Sequence, residues 1–175
     1  MNKKVVIILV AAVVALALII TGTVIGLKGL FKNSSSSDAS QPISEKAKIT
    51  VGSVSAKKGE TIEIPVKIDK NPGIMAMLFD IKYDSSVLQY MNYSKGDVLS
   101  DYSFNDLGGS VRFVNIEDND ITKNGTLFTL KFKVLADAPT GESLIEPMID
   151  EYSLTDFDES IIKSDVTNGT VTVNE

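Results

Sequence analysis

The chain of 175 residues contains no cysteine, no histidine and no tryptophan. Without Cys it can form no disulfide framework, no thiolate zinc site, no cysteine nucleophile and no lipid-bearing lipoprotein cysteine. Without His it lacks an imidazole base or metal ligand, which excludes Ser-His-Asp catalysis and most zinc chemistry. Most enzyme classes go with them, so the chain reads as non-catalytic. Positive charge is scarce too: 17 Lys and Arg stand against 23 Asp and Glu, for a formal charge of −6. Phosphate binding needs clustered positive charge, and the absence of a Lys/Arg stripe argues against a nucleic-acid partner.

One long apolar run is present. Val5 to Leu27 carries no charge, and its first part reads "VVIILVAAVVALALII". As a helix, this segment spans roughly 35 Å, enough to cross the hydrocarbon core of a bilayer. A secretory signal peptide is the competing reading. Its apolar core is usually shorter and is followed closely by a small-x-small cleavage site, which "TGTVIGLKGLF" does not supply. A retained single-pass anchor over 5–27 is therefore favoured, with residues 1–4 outside it; cleavage would instead give a secreted protein. Lys3 and Lys4 on one flank are balanced by Lys28 and Lys32 on the other, so charge does not set the orientation. Gly22 and Gly26 form a GxxxG, read here as small residues scattered in an apolar helix.

The stretch "NSSSSDASQP" follows, too small and polar to bury surface, so residues 28–45 read as a flexible linker. From residue 46 to 175 the pattern changes to short alternating runs: "KITVGSVSA", "TIEIPVKID", "GSVRFVNIE", "TLFTLKFKVL" and "GTVTVN". Asn124-Gly125 and Asn168-Gly169 between them are short-turn signals, and Gly108-Gly109 marks a tight turn with no helix after it to cradle phosphate. Pro65 within a strand pattern implies an edge or a bulge, and "SSVLQYMNY" has room for one helical turn. Short strands at this spacing in one domain predict an all-β sandwich or jelly roll.

Several local patterns invite a functional label and fail. "DNDITKNG" begins like a calcium loop, but Lys123 occupies the sixth position where Gly is needed for the turn. "DFDES" fails in the same way, with Ile161 at that place. Asn33, Asn92, Asn124 and Asn168 each open an N-x-S/T triplet, two of them simply the Asn-Gly turns. Acids are plentiful enough for a glycosidase pair, yet no pattern selects one. No metal or cofactor is expected on this chain.

One strand is apolar on both sides. In "GIMAMLFDIKYDSSVL", Met77, Phe79, Ile81 and Tyr83 share one face by period two, while Ala76 and Leu78 share the other, ahead of Asp80 and Lys82. In "VRFVNIE", Phe113 marks the core side and leaves Arg112, Val114 and Ile116 outside. A sandwich buries one face of each sheet, so apolar residues on adjacent outer faces form a patch that a partner would cover.

These residues carry a resemblance. "FDIKYDSSVLQY" is similar to the hallmark of the cohesin domain, an aromatic-rich strand ending in YD, a short turn, then VL. Around it lie, in the family's order, "VGSVSAKKGETIEIPVKI", "KGDVLSDYSF", "ITKNGTLFTLKFKV", "DAPTG" and "NGTVTV", covering about Ile49 to Val173. The resemblance implies a nine-stranded jelly-roll β-sandwich of the cellulosome scaffoldin kind. Such a module binds dockerins, calcium-loaded modules of polysaccharide-degrading enzymes or scaffold proteins, with the calcium on the dockerin and not on this chain. It also implies an extracellular domain at the cell membrane, which puts residues 1–4, ahead of the anchor, in the cytoplasm. The family's contacting positions fall here on Ala76, Leu78 and Asp80, on Arg112, Val114 and Ile116, on Glu117, Asn119 and Asp120 in a following loop, and near Phe157. Many cohesins have Asn-x-Asp where this chain has Ala76-x-Leu78. The alternative function is a carbohydrate-binding module, which uses the same sandwich but presents exposed aromatic platforms to sugar rings.

Overall fold

A computed structural model describes residues 45–175. The expected anchor over 5–27 and nearly all of the expected linker lie outside the described residues. Within them there is no helix, and every regular element is a strand. The strands are β1 (Ala47–Val51), β2 (Val54–Lys57), β3 (Thr61–Lys70), β4 (Ile74–Tyr83), β5 (Leu88–Lys95) and β6 (Ser103–Asp106). They continue with β7 (Ser110–Ile121), β8 (Gly125–Val134), β9 (Gly141–Met148), β10 (Leu154–Thr155), β11 (Ser164–Thr167) and β12 (Gly169–Asn174). That makes twelve where nine were expected; four of them, β2, β6, β10 and β11, are segments of only two to four residues.

The strands form two sheets, ordered β11-β1-β3-β8-β5 and β2-β12-β9-β4-β7-β6, with β10 added on β4. Alternation dictates the layering. Ile49, Ile62, Ile64, Phe128, Leu130 and Phe132 point inward from the first sheet, and Met77, Phe79, Ile81, Val111 and Phe113 from the second. Aromatic rings lock the layers together, with Phe113 and Phe128 centroids 4.6 Å apart and Phe104 and Phe128 4.8 Å apart. "YDSSVL" is the corner between sheets. Buried Tyr83 ends β4, Asp84 Oδ1 accepts bonds from Ser86 N (2.8 Å) and Oγ (2.6 Å), and Val87 and Leu88 turn back into the core. The helical turn that this stretch had room for is limited to the bonds from Val87 N and Leu88 N to Asp84 O.

Turn chemistry departs from expectation in an instructive way. Gly108-Gly109 does close the β6–β7 hairpin, with positive φ at both residues. Asn124-Gly125 and Asn168-Gly169 make no hairpins, because the strands they join belong to opposite sheets. Gly125 uses its freedom at φ 149°, whereas Gly169 is required for proximity: a Cβ there would strike the Gly52 carbonyl oxygen and the Val51 side chain. Pro65 sits in an interior strand, beyond the residue where β1 stops pairing and beside a register shift between Val66 and Lys67.

Candidate functional site

The outer face of the larger sheet is set by register. Across β4 and β7, Leu78 lies opposite Val114, Ala76 opposite Ile116, and Asp80 opposite Arg112. Leu78 is 52% exposed and Ile116 61%, while Val114 and Ala76 are half-buried between their neighbours. Six of the sequence-derived positions therefore meet on one surface, three per strand, with the cross-strand spacing that lets paired side chains touch.

Both flanks of this surface are shaped by interruptions. β9 covers β4 from Asp80 to Tyr83, and β10 covers Ala76 and Met77, both antiparallel to it. Between them the chain leaves the sheet, tied back by the bond from Leu78 N to Ser153 O at 2.9 Å. Asp150 Oδ1 holds the excursion by accepting bonds from Tyr152 N (2.9 Å) and Ser153 Oγ (3.0 Å). The result is a depression of about 370 Å³ lined by Leu78, Asp80, Arg112, Met148, Asp150 and Tyr152, among others. On the other flank, β7 contributes the residues from Ile116 to Ile121 against only Ala76 to Ile74 of β4. The surplus forms a bulge inside the strand, so Glu117, Asn119 and Asp120 belong to β7 and not to a loop after it.

The bulge gives these three residues different surroundings. Asp120 Oδ1 accepts the Phe157 amide at 2.7 Å, which joins the 156–160 turn to β7 and leaves the Phe157 ring 58% exposed. Asn119 is exposed. Glu117 has the inward parity of Phe113 and Asn115, and its carboxylate accepts bonds from Ser100 N at 2.9 Å, Ser100 Oγ and Asn115 Nδ2. Burial pushes its carboxyl up, but these bonds outweigh it and the net shift is downward. Its charge is thus used inside the domain, where it fixes the loop before β6. That loop and β6 contribute Asp101, Tyr102 and Ser103 to a second depression of about 310 Å³ beside Val114 and Ile116.

The one ion pair on the face is internal. Arg112 Nε donates to Asp80 Oδ1 at 2.7 Å and Arg112 Nη2 to Oδ2 at 2.9 Å. This two-point bond with the guanidinium holds the Asp80 carboxyl below its usual range. Sequence reasoning missed Met148 (56% exposed), opposite Asp80, and Tyr152 (72%). The signal for Met148 was the alternation of buried Ser143, Ile145 and Pro147, masked by the proline; Tyr152 lies off the sheet and had none. Among the described residues no group of three or more acidic side chains is arranged to hold a metal ion.

A two-sheet sandwich with this corner motif and this exposed apolar row is matched over residues 47–173 by the family model of the cohesin domain. The chain belongs to the cohesin family. Cohesins are non-catalytic modules, so this cohesin is not an enzyme, and it works without a cofactor. The cellulosomal-scaffolding protein B of Acetivibrio thermocellus is 34% identical over 142 residues, 72% of this chain and 18% of that protein. The chain spans less than a fifth of the length of the curated relatives it matches. The solution structure of a Clostridium acetobutylicum cohesin, CaCohA2, gives a TM-score of 0.66 at 26% identity, over 75% of this chain and 92% of that one. A type I cohesin–dockerin complex from Clostridium thermocellum gives 0.65 at 24%, over 74% of this cohesin and 100% of its counterpart, a likeness of fold.

Proposed function

We propose that this cohesin captures a dockerin module on the outer face of the larger sheet. Leu78, Val114 and Ile116 form the centre that the partner dries, and Ala76, Asp80, Arg112, Asn119, Asp120 and Phe157 surround it. The observation that carries the reading is the row of wet aliphatic side chains in register on two neighbouring strands. A soluble sandwich gains nothing from exposing them, and a covering helix gains roughly 1.5–3 kcal/mol for each one fully buried. With residues 5–27 as an anchor, the module would display its partner, a polysaccharide-degrading enzyme or a scaffold protein, outside the cell membrane.

The test is calorimetric titration of the purified chain with calcium-loaded dockerins, starting with the one in the type I complex named above, then repeated after chelation. Calcium belongs to the partner in this reading, so chelator should abolish binding while leaving the melting curve of the cohesin unchanged. Binding that survives chelation, or a failure of every dockerin to bind, would overturn it. A second reading, carbohydrate binding, draws support from the exposed rings of Tyr152 and Phe157; glycan-array signal lost in Tyr152→Ala would establish it instead.

A further inference from the structure

We propose that the depression between β4, β7 and the 149–153 excursion receives one Lys or Arg side chain of the partner, with its charge on Asp150 and its stem on Tyr152 and Met148. The proposal rests on the docking reading above and names the chemistry that the face selects.

Three features of the depression specify a cation with a long apolar stem. The first is its charge. Asp80 is consumed by Arg112, and Glu146 stands opposite Lys82 across the β4–β9 pair, so both carboxylates have a local counter-charge. Asp150 has no ion-pair partner among the described residues. The second is the neighbourhood: the excursion carries Glu151 next to Asp150 and no Lys or Arg, and the nearest cations on the face, Arg112 and Lys82, stand opposite Asp80 and Glu146. The field over this flank is therefore negative, and a partner carboxylate would be repelled there. The third is the wall. Tyr152 offers a ring 72% exposed, and Met148 a thioether 56% exposed, beside half-wet Leu78. An aromatic face attracts an ammonium or guanidinium, and the apolar walls suit the methylene stem that Lys and Arg share.

The depression is formed before any partner arrives, because Asp150 Oδ1 is already bonded to Tyr152 N and Ser153 Oγ. Asp150→Asn keeps an oxygen for those bonds and removes only the charge, which makes it the informative variant. Against a dockerin that the wild-type chain binds, Asp150→Asn should weaken affinity about three- to tenfold at low salt, and the difference should shrink at high salt. In a double-mutant cycle, one partner Lys or Arg, changed to Met, should couple to Asp150→Asn. Equal affinity of wild type and Asp150→Asn at both salts, while Leu78→Asp abolishes binding, would overturn the pocket and leave the docking face standing. A second arm needs no dockerin: in an NMR titration with N-acetyl-arginine amide, the Tyr152 and Ser153 amides should shift in the wild type and not in Asp150→Asn. Absence of that shift overturns the pocket even if no dockerin is ever captured.

Discussion

Leu78 is the residue on which the docking reading can be tested most sharply. Full burial of a leucine side chain is worth roughly 1.5–3 kcal/mol, and Leu78 is 52% exposed, so the part still wet offers about 1 kcal/mol to a partner. Leu78→Ala should then weaken capture about fivefold. Leu78→Asp does more, because it sets an unpaired carboxylate opposite Val114 and two residues from Asp80 on the same face. Drying that charge under a partner adds at least about 2 kcal/mol, for a total loss of roughly a hundredfold or more. Calorimetry against one dockerin gives both numbers. The fold should hardly notice, since an exposed position changes stability by about 0.5 kcal/mol or less, within 1–2 °C in a melting curve. Unchanged affinity in Leu78→Asp, or lost affinity accompanied by a collapse of the melting temperature, would refute the reasoning.

Two further outcomes follow from the polar groups of the face. Arg112→Met should return the Asp80 carboxyl toward its ordinary value in an NMR titration, because the two-point guanidinium bond is what lowers it. The sign is that of a depressed carboxylate: the pair's stabilisation is present above the unfolded carboxylate value near 4 and fades as pH falls through the lower folded one. The pair is partly exposed, so the effect on melting is small and is further screened by salt. Glu117→Ala should release the loop before β6, seen as faster hydrogen exchange at the Ser100 amide that Glu117 now holds, while exchange in β4 is unaltered.

The sandwich was legible because period two is a strong signal in strands with one buried face. Met77, Phe79, Ile81 and Tyr83 could be assigned inward from the sequence alone, and they are buried. Pairing was less legible. Asn124-Gly125 and Asn168-Gly169 carry the residues of a hairpin turn, yet each sits where the chain passes from one sheet to the other. A turn signal fixes a local reversal and says nothing about which distant strand supplies the hydrogen bonds, so β8 pairs with β3 and β12 with β2, both far away in sequence.

The same limit explains the site. Residues inside regular ladders, Leu78, Val114 and Ile116, could be put on the outer face because alternation places them without knowledge of the partner strand. Glu117, Asn119 and Asp120 were assigned to a loop because a bulge adds residues to one strand with no mark in the pattern; Glu117 itself keeps the inward parity of Phe113 and Asn115 and meets Ser100. Tyr152 and Asp150 belong to an interruption between β9 and β10, where the chain follows no period. Regular strands therefore supply the flat apolar centre, and irregular backbone at both flanks supplies the depressions beside it. Affinity should vary little among sequences that keep the alternation, whereas partner choice should follow the bulge and the excursion, since those decide which charged side chains reach the rim.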